Sequence, residues 1–141
     1  MKVLVTGAFG NIGEGTVRQL LARGHQVRCF DVPNRGNAKK AARLDAQAEI
    51  VWGDLRNPGD VAGAVRDMEL VIHLAFVIPK LSATGIGCED QPDWACEVNV
   101  GGTTNLLQAI GAQQHPARII FASSLHIYGI TQAQQPPRQV S

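Results

Sequence analysis

Aromatic residues are scarce in this 141-residue chain: they make up 5%, with a single tyrosine. Without an aromatic platform beside a basic stripe, the sequence offers nucleic acid no stacking surface. An excess of either charge is also missing. Thirteen Lys and Arg stand against twelve Asp and Glu, a net charge of +1, so no polyanionic partner is implied. The three cysteines, Cys29, Cys88 and Cys96, include no CxxC pair, which removes a disulfide framework and fits a reducing cytoplasm. Long apolar runs are absent too: Met1 to Val5 is too short for a signal peptide or a spanning helix. His25, His73, His115 and His126 show no ligand-like spacing, so no metal site is expected. What remains is a cytoplasmic, soluble chain of one domain's length, 45% hydrophobic and 18% charged, enough for a single core.

Short apolar β-rich runs alternate with helical patterns. Val3–Val5 reads as a strand apolar on both faces, as in a parallel sheet covered by helices. Residues 11–23 read as a helix with Ile12, Thr16, Val17, Leu20 and Leu21 on one side and Gly24 as its stop. Gln26–Asp31 is a second strand. Pro33 to Gly36 reads as a turn cluster, and 38–44 as a short helix. Glu49–Trp52 is a third strand. Asn57-Pro58 opens a helix, because Asn caps and Pro suits the first turn. Residues 70–74 form a fourth strand and 78–91 a loop. Residues 93–112 form the longest helix, with Trp94, Val98, Gly102, Leu106 and Ile110 every four residues, and 118–122 a fifth strand. The alternation implies a Rossmann-type, doubly wound parallel sheet of about five strands in the order 3-2-1-4-5, with right-handed crossovers. Residues 1–130 form its domain, and 131–141, rich in Gln and Pro, a loop or disordered tail.

The loop after the first strand carries Gly7, Gly10 and Gly13. A helix N-terminus presents unpaired N–H groups and a partial positive charge, which together suit a diphosphate. Glycine permits positive φ and close backbone approach, and Gly13 is expected to let the helix pack tightly on the sheet. The spacing GxxGxxG is one residue longer at the front than GxGxxG. A strand before it, a helix after it and Asp31 closing the second strand strengthen the reading. Asp31 can accept both ribose hydroxyls of an adenosine and would repel a 2′-phosphate, which favours NAD over NADP; Arg35 nearby softens that preference. A turn-capping role for Asp31 stays open. No Gly-Lys-Ser/Thr follows, so the loop is not a Walker loop.

Taken in order, residues 6–13 (TGAFGNIG), Asp31, Gly53-Asp54-Leu55, His73-Leu74-Ala75, residues 99–103 (NVGGT) and residues 123–129 (SSLHIYG) resemble the extended short-chain dehydrogenase/reductases, the NAD-dependent epimerase/dehydratases of nucleotide sugars. The likeness spans nearly the whole chain but only the N-terminal half of a family member. It implies that Phe9, Gly10, Asn11 and Ile12 wrap the pyrophosphate with backbone groups. Asp54 would meet the adenine amino group, flanked by the Leu55 backbone. Leu74 and Ala75 would line the ribose and nicotinamide side, Asn99 would lie beneath the cofactor, and Ser124 would be the catalytic Ser/Thr that hydrogen-bonds the substrate oxygen. Blander roles stay open: Asp54 also fits a cap, Asn99 a satisfied core amide, and Ser124 a strand end. His73 reads as packing or hydrogen-bonded structure rather than a catalyst.

The same resemblance calls for a Tyr-Lys pair four residues apart, the Lys lowering the phenol's pKa so that it serves as acid or base. Here Tyr128 is the one tyrosine, position 132 is Gln, and no lysine follows Lys80. The chain therefore reads as C-terminally truncated, a fragment that binds NAD without turning over a nucleotide sugar. An exposed fifth strand would favour a homodimer or other self-association. A non-catalytic NAD-binding sensor is the alternative function. An S-adenosylmethionine-dependent methyltransferase, whose loop is similar, is a third reading that the TGxxGxxG form disfavours.

Overall fold

A computed structural model describes residues 1–44, 47–78 and 90–123. The strands are β1 (Lys2–Thr6), β2 (Gln26–Asp31), β3 (Glu49–Trp52), β4 (Leu70–His73) and β5 (Arg118–Phe121). They form one sheet in the order β3-β2-β1-β4-β5, and every pairing is parallel. The order reverses between β1 and β4, so the carboxyl ends of those strands open the crevice where such sheets take ligands.

Period-two alternation sends side chains to two cores. On one face Leu4, Phe30 and Val71 pack with Leu55, Val61, Val65, Leu106 and Ile110. On the other Val3, Val5, Val27 and Cys29 pack with Val17, Ala41 and Leu44. Helices thus cover both faces, as the apolar run Val3–Val5 in β1, buried throughout, requires. Burial pushes the Cys29 thiol up to about 12, so it sits there as a small hydrophobe.

Helix α1 (Asn11–Ala22) stops where expected. The Gly24 N–H reaches the Leu21 carbonyl, the His25 N–H reaches that of Leu20, and Gly24 takes φ +76°, closing a Schellman turn. Its apolar face is the expected one at Val17, Leu20 and Leu21, which pack on the core of Val3 and Val5, and differs at Ile12, which is 69% exposed, with Gly13 buried in the first turn. Ile12 stands in the first turn on the stripe that carries Gly15, Thr16 and Gln19.

Helix α2 (Arg35–Ala41) begins earlier than expected. The Asn34 side chain accepts the Asn37 N–H at 2.8 Å, so the residue read as part of a turn cluster is a cap. Helix α3 (Pro58–Val65) starts as expected, with the Asn57 side chain accepting the Gly59 N–H. Its last carbonyls are held from β2: Arg28 Nη1 donates to Ala64 and Arg66 at 2.8 and 2.9 Å.

The long helix is not one cylinder. It runs as α4 (Pro92–Cys96), a π-helical turn (Glu97–Gly101) and α5 (Gly102–Gly111). The expected four-residue stripe holds at Gly102, Leu106 and Ile110, which are buried. Toward the N-terminus the buried position is Ala95, and Trp94 and Val98 are only half-buried. Steps of four residues drift by about 40° each at 3.6 residues per turn, and the wider π turn shifts the register again.

Candidate cofactor site

Gly7 follows β1 with φ +65°, and a Cβ there would lie 2.7 Å from the Ala75 nitrogen. Only glycine lets the loop lie this close to the end of β4. A Cβ on Gly13 would fall 2.1 Å from the Gly7 carbonyl oxygen and 2.8 Å from Ala8. Gly13 therefore lets the helix seat on its own loop, and the expectation that it packs against the sheet is corrected on that point. Gly10 donates its N–H to the Gly7 carbonyl and precedes α1 with no side-chain cap. The first-turn amides of Asn11, Ile12 and Gly13 have no intrahelical acceptor. They lie at the positive end of the helix dipole, where the loop that follows β1 enters α1. Phe9 differs: its N–H donates to Asp31 Oδ2 at 2.9 Å, and its carbonyl accepts from Lys40 Nζ at 2.6 Å. The Phe9 ring is buried, and it leans on Trp52 at a centroid distance of 5.4 Å.

Asp31 sits half-buried at the end of β2. Burial raises its pKa, opposed by the Phe9 and Val32 N–H donors and by the Lys40 charge. Each oxygen accepts one backbone N–H, Oδ2 from Phe9 and Oδ1 from Val32 at 2.8 Å, and the Asn37 side chain is a third partner, leaving acceptor capacity for a further hydroxyl. Arg35 is exposed at the start of α2.

Between β3 and α3, Asp54 lies at the surface end of a tightly held loop. Arg56 pairs with its carboxylate at 2.6 Å and holds its pKa below the ordinary range. The Leu55 side chain is buried on one core, and its carbonyl accepts from Asn105 Nδ2 at 2.9 Å.

The floor at β4 is a polar chain whose partners sequence reading did not find, though it read His73 as packing or hydrogen-bonded structure. The Thr103 hydroxyl donates to the Asn99 carbonyl at 2.5 Å. It must then accept from His73 Nε2 at 3.0 Å, which leaves His73 Nδ1 to accept the Thr6 hydroxyl at 2.6 Å. Thr6 Oγ1 in turn accepts the Ala75 N–H at 3.4 Å. Burial pushes the His73 ring down to about 4, so it is a neutral Nε2–H tautomer. The role read for His73, hydrogen-bonded structure, is what the structure shows. Asn99 lies in the π turn, and its amide clamps Val77 twice: Oδ1 accepts the Val77 N–H at 2.7 Å, and Nδ2 donates to the Val77 carbonyl at 3.0 Å. Leu74 and Ala75 are half-buried between these anchors. Asn99 and the segment it holds thus stand at the carboxyl end of β4, next to Gly7.

The structure brings together Gly7, Phe9, Gly10, Asn11, Ile12, Gly13, Asp31, Leu74, Ala75 and Asn99 around the reversal point, with Asp54 and Leu55 along the neighbouring loop. Ser124, Tyr128 and the 131–141 segment lie outside the described residues, as do residues 79–89 of the 78–91 loop. Lys40 and Arg56 join the site without having been singled out in the sequence, and Thr6 and Thr103, quoted there within motifs, join it with roles that the sequence did not assign.

The architecture is that of a Rossmann-type α/β unit. The profile of the NAD dependent epimerase/dehydratase family matches residues 3–141. A UDP-glucose 4-epimerase from Klebsiella pneumoniae is 37% identical over 137 residues, covering 92% of this chain and 93% of that protein. A 3 beta-hydroxysteroid dehydrogenase/Delta 5-->4-isomerase from Mycobacterium tuberculosis is 34% identical over 123 residues, 87% of this chain and 31% of that one. Among solved structures, the UDP-glucose 4-epimerase of Thermus thermophilus in complex with NAD superposes with a TM-score of 0.77 at 32% identity, covering 98% of this chain and 44% of that one. The chain belongs to the NAD dependent epimerase/dehydratase family, as its motifs implied. It spans about a third of the length of the mycobacterial relative. Among the described residues, no helix is long and apolar enough to cross a membrane.

Proposed function

We propose that this chain is the NAD-binding portion of a nucleotide-sugar epimerase/dehydratase-like oxidoreductase, with residues 1–130 as its dinucleotide-binding domain. One observation carries the reading: α1 opens uncapped onto the reversal point, over a loop whose Gly7 and Gly13 leave no room for a Cβ, with Asp31 beside it. The amides of Asn11, Ile12 and Gly13 receive the diphosphate. Asp31 accepts the adenosine ribose hydroxyls and repels a 2′-phosphate. Asp54 accepts from the adenine amino group, and the Leu55 backbone flanks the ring. Leu74, Ala75 and the Asn99-clamped segment line the nicotinamide side, and Ser124 hydrogen-bonds the substrate oxygen. When bound, NAD supplies the hydride-accepting ring; the residues here hold it and exclude water. A nucleotide sugar is the substrate that the Klebsiella and Thermus relatives suggest.

A second reading, a non-catalytic NAD-binding sensor, draws on one feature: these 141 residues hold one tyrosine, with Gln132 rather than Lys four positions on. On either reading the chain by itself binds NAD without turnover. Calorimetric titration with NAD, NADP and S-adenosylmethionine tests the proposal, with NAD expected to bind most tightly. No NAD binding, or a preference for S-adenosylmethionine, would overturn it, and epimerisation of a UDP-sugar by this polypeptide would overturn the expected lack of turnover.

A further inference from the structure

The β3–α3 loop holds an arrangement that this cofactor reading leaves unused. Asp54 Oδ1 accepts the Arg56 backbone N–H at 2.9 Å and Nε at 3.1 Å. Oδ2 accepts Nε at 3.0 Å and Nη2 at 2.6 Å. The other arm of the guanidinium, Nη1, faces Glu97 Oε2 in the π turn at 3.7 Å. The backbone beneath is pinned: the Asp54 N–H donates to Asp60 Oδ2 at 3.0 Å, the Asp54 carbonyl accepts the Asn57 N–H at 2.9 Å, and Asn105 holds Leu55. With the main chain fixed, the orientation of the Asp54 carboxylate is set by Arg56.

A carboxylate has about four acceptor sites. The Arg56 backbone N–H, Nε and Nη2 occupy three of them, leaving room for one more donor. A carboxylate paired with a guanidinium stays ionised and accepts only. An exocyclic amino group brings the hydrogen such an acceptor needs, whereas a 6-oxo group brings lone pairs that it repels.

We infer that Arg56 is a positioning residue for base selection: by clamping Asp54 as an oriented acceptor, it makes the site choose a 6-aminopurine dinucleotide over a 6-oxopurine one. The inference rests on the reading that Asp54 meets the adenine amino group. Glu97 steadies the guanidinium from the helix that carries Asn99, so base selection is tied to the same element that shapes the nicotinamide side. Side-chain exposures of 41% for Arg56 and 34% for Asp54 mean that solvent screens the pair. Its effect therefore lies in selectivity more than in overall affinity.

The test is calorimetric titration of the full chain with NAD and with nicotinamide hypoxanthine dinucleotide, for wild type, R56M, R56K and D54A, with melting curves for each. Wild type should prefer NAD by roughly tenfold, the worth of one partly screened charge-assisted hydrogen bond. R56M should bring the ratio to within about threefold, and R56K, with a single point charge in place of the fork, should lie between. D54A should flatten it. If D54A flattens the ratio and R56M leaves it intact, or if R56M weakens both dinucleotides equally, the inference falls and the adenine reading stands. If D54A leaves the ratio intact, both fall. Should R56M melt too low to assay, R56K decides, because an unchanged ratio there also overturns the inference.

Discussion

Protonation of one buried imidazole is coupled to folding. Folded His73 titrates near 4, against 6.5 for an ordinary ring. Above 6.5 both states are neutral and the stability is intact. As the pH falls from 6.5 toward 4 the unfolded chain takes up the proton first, so stability declines, by on the order of 3 kcal/mol over that window. Asp54, with its pKa held down, acts in the same sense at lower pH, whereas Asp31, raised by burial, acts in the opposite one. The melting temperature should therefore drop steadily between pH 7 and 4. His73→Asn should be less stable at pH 7 but lose most of that slope; parallel curves for the two proteins would contradict the assignment. Asp31→Ala should weaken NAD binding about tenfold and narrow its margin over NADP, as loss of hydrogen bonds to a charged group predicts. Unchanged affinities by calorimetry would remove Asp31 from the site. The place of Asp31 beside the glycine loop was legible because a strand-ending acid after such a loop is a local pattern. The Thr6–His73–Thr103 chain was not, because its contacts span 67 and 30 positions and leave no trace in any window of sequence.

Two glycines within one turn of α1 separate opposite effects at the scale of an element. Replacing glycine by alanine inside a helix gains about 0.5–1 kcal/mol. At Gly15 a Cβ would meet nothing within 4 Å, so Gly15→Ala should raise stability by that amount with NAD binding unchanged. At Gly13 the clash with the Gly7 carbonyl outweighs the gain, and Gly13→Ala should cost about 1–3 kcal/mol, as overpacking does, and abolish NAD binding. Chemical denaturation and titration of both variants check this; equal effects would mean that the loop geometry is wrong. The Gly13 position was legible in the sequence, but its packing partner was not, since the spacing fixes where glycine falls and not what it touches. The start of α2 was obscured because Asn caps helices and also builds turns, and Pro33 and Gly36 weighted the turn. The π turn was hidden because an inserted residue leaves the apolar repeat nearly continuous.

Across the whole molecule, strand order and layering were the most legible features, because both faces of a parallel sheet must be apolar and βα alternation admits few right-handed topologies. Among the described residues, β5 is the edge at which those rules leave surface uncovered. All four of its residues are exposed, with Ile119, Ile120 and Phe121 at 37%, 53% and 46%. An apolar edge strand of this kind templates pairing with another chain. This polypeptide should self-associate in sedimentation measurements, and Ile120→Lys should shift it toward monomer. A wild-type chain that stays monomeric at high concentration would count against the edge as a pairing surface.

Each hydrogen in the run from Ala75 through Thr6, His73 and Thr103 to Asn99 has a single destination. Such a run cannot be edited one letter at a time, since an apolar replacement anywhere strands a neighbour's lone pair or proton in the interior. Lineages that abandon the imidazole should have abandoned the two threonines with it, and a designer wanting a drier floor beneath the crevice would have to exchange all three together.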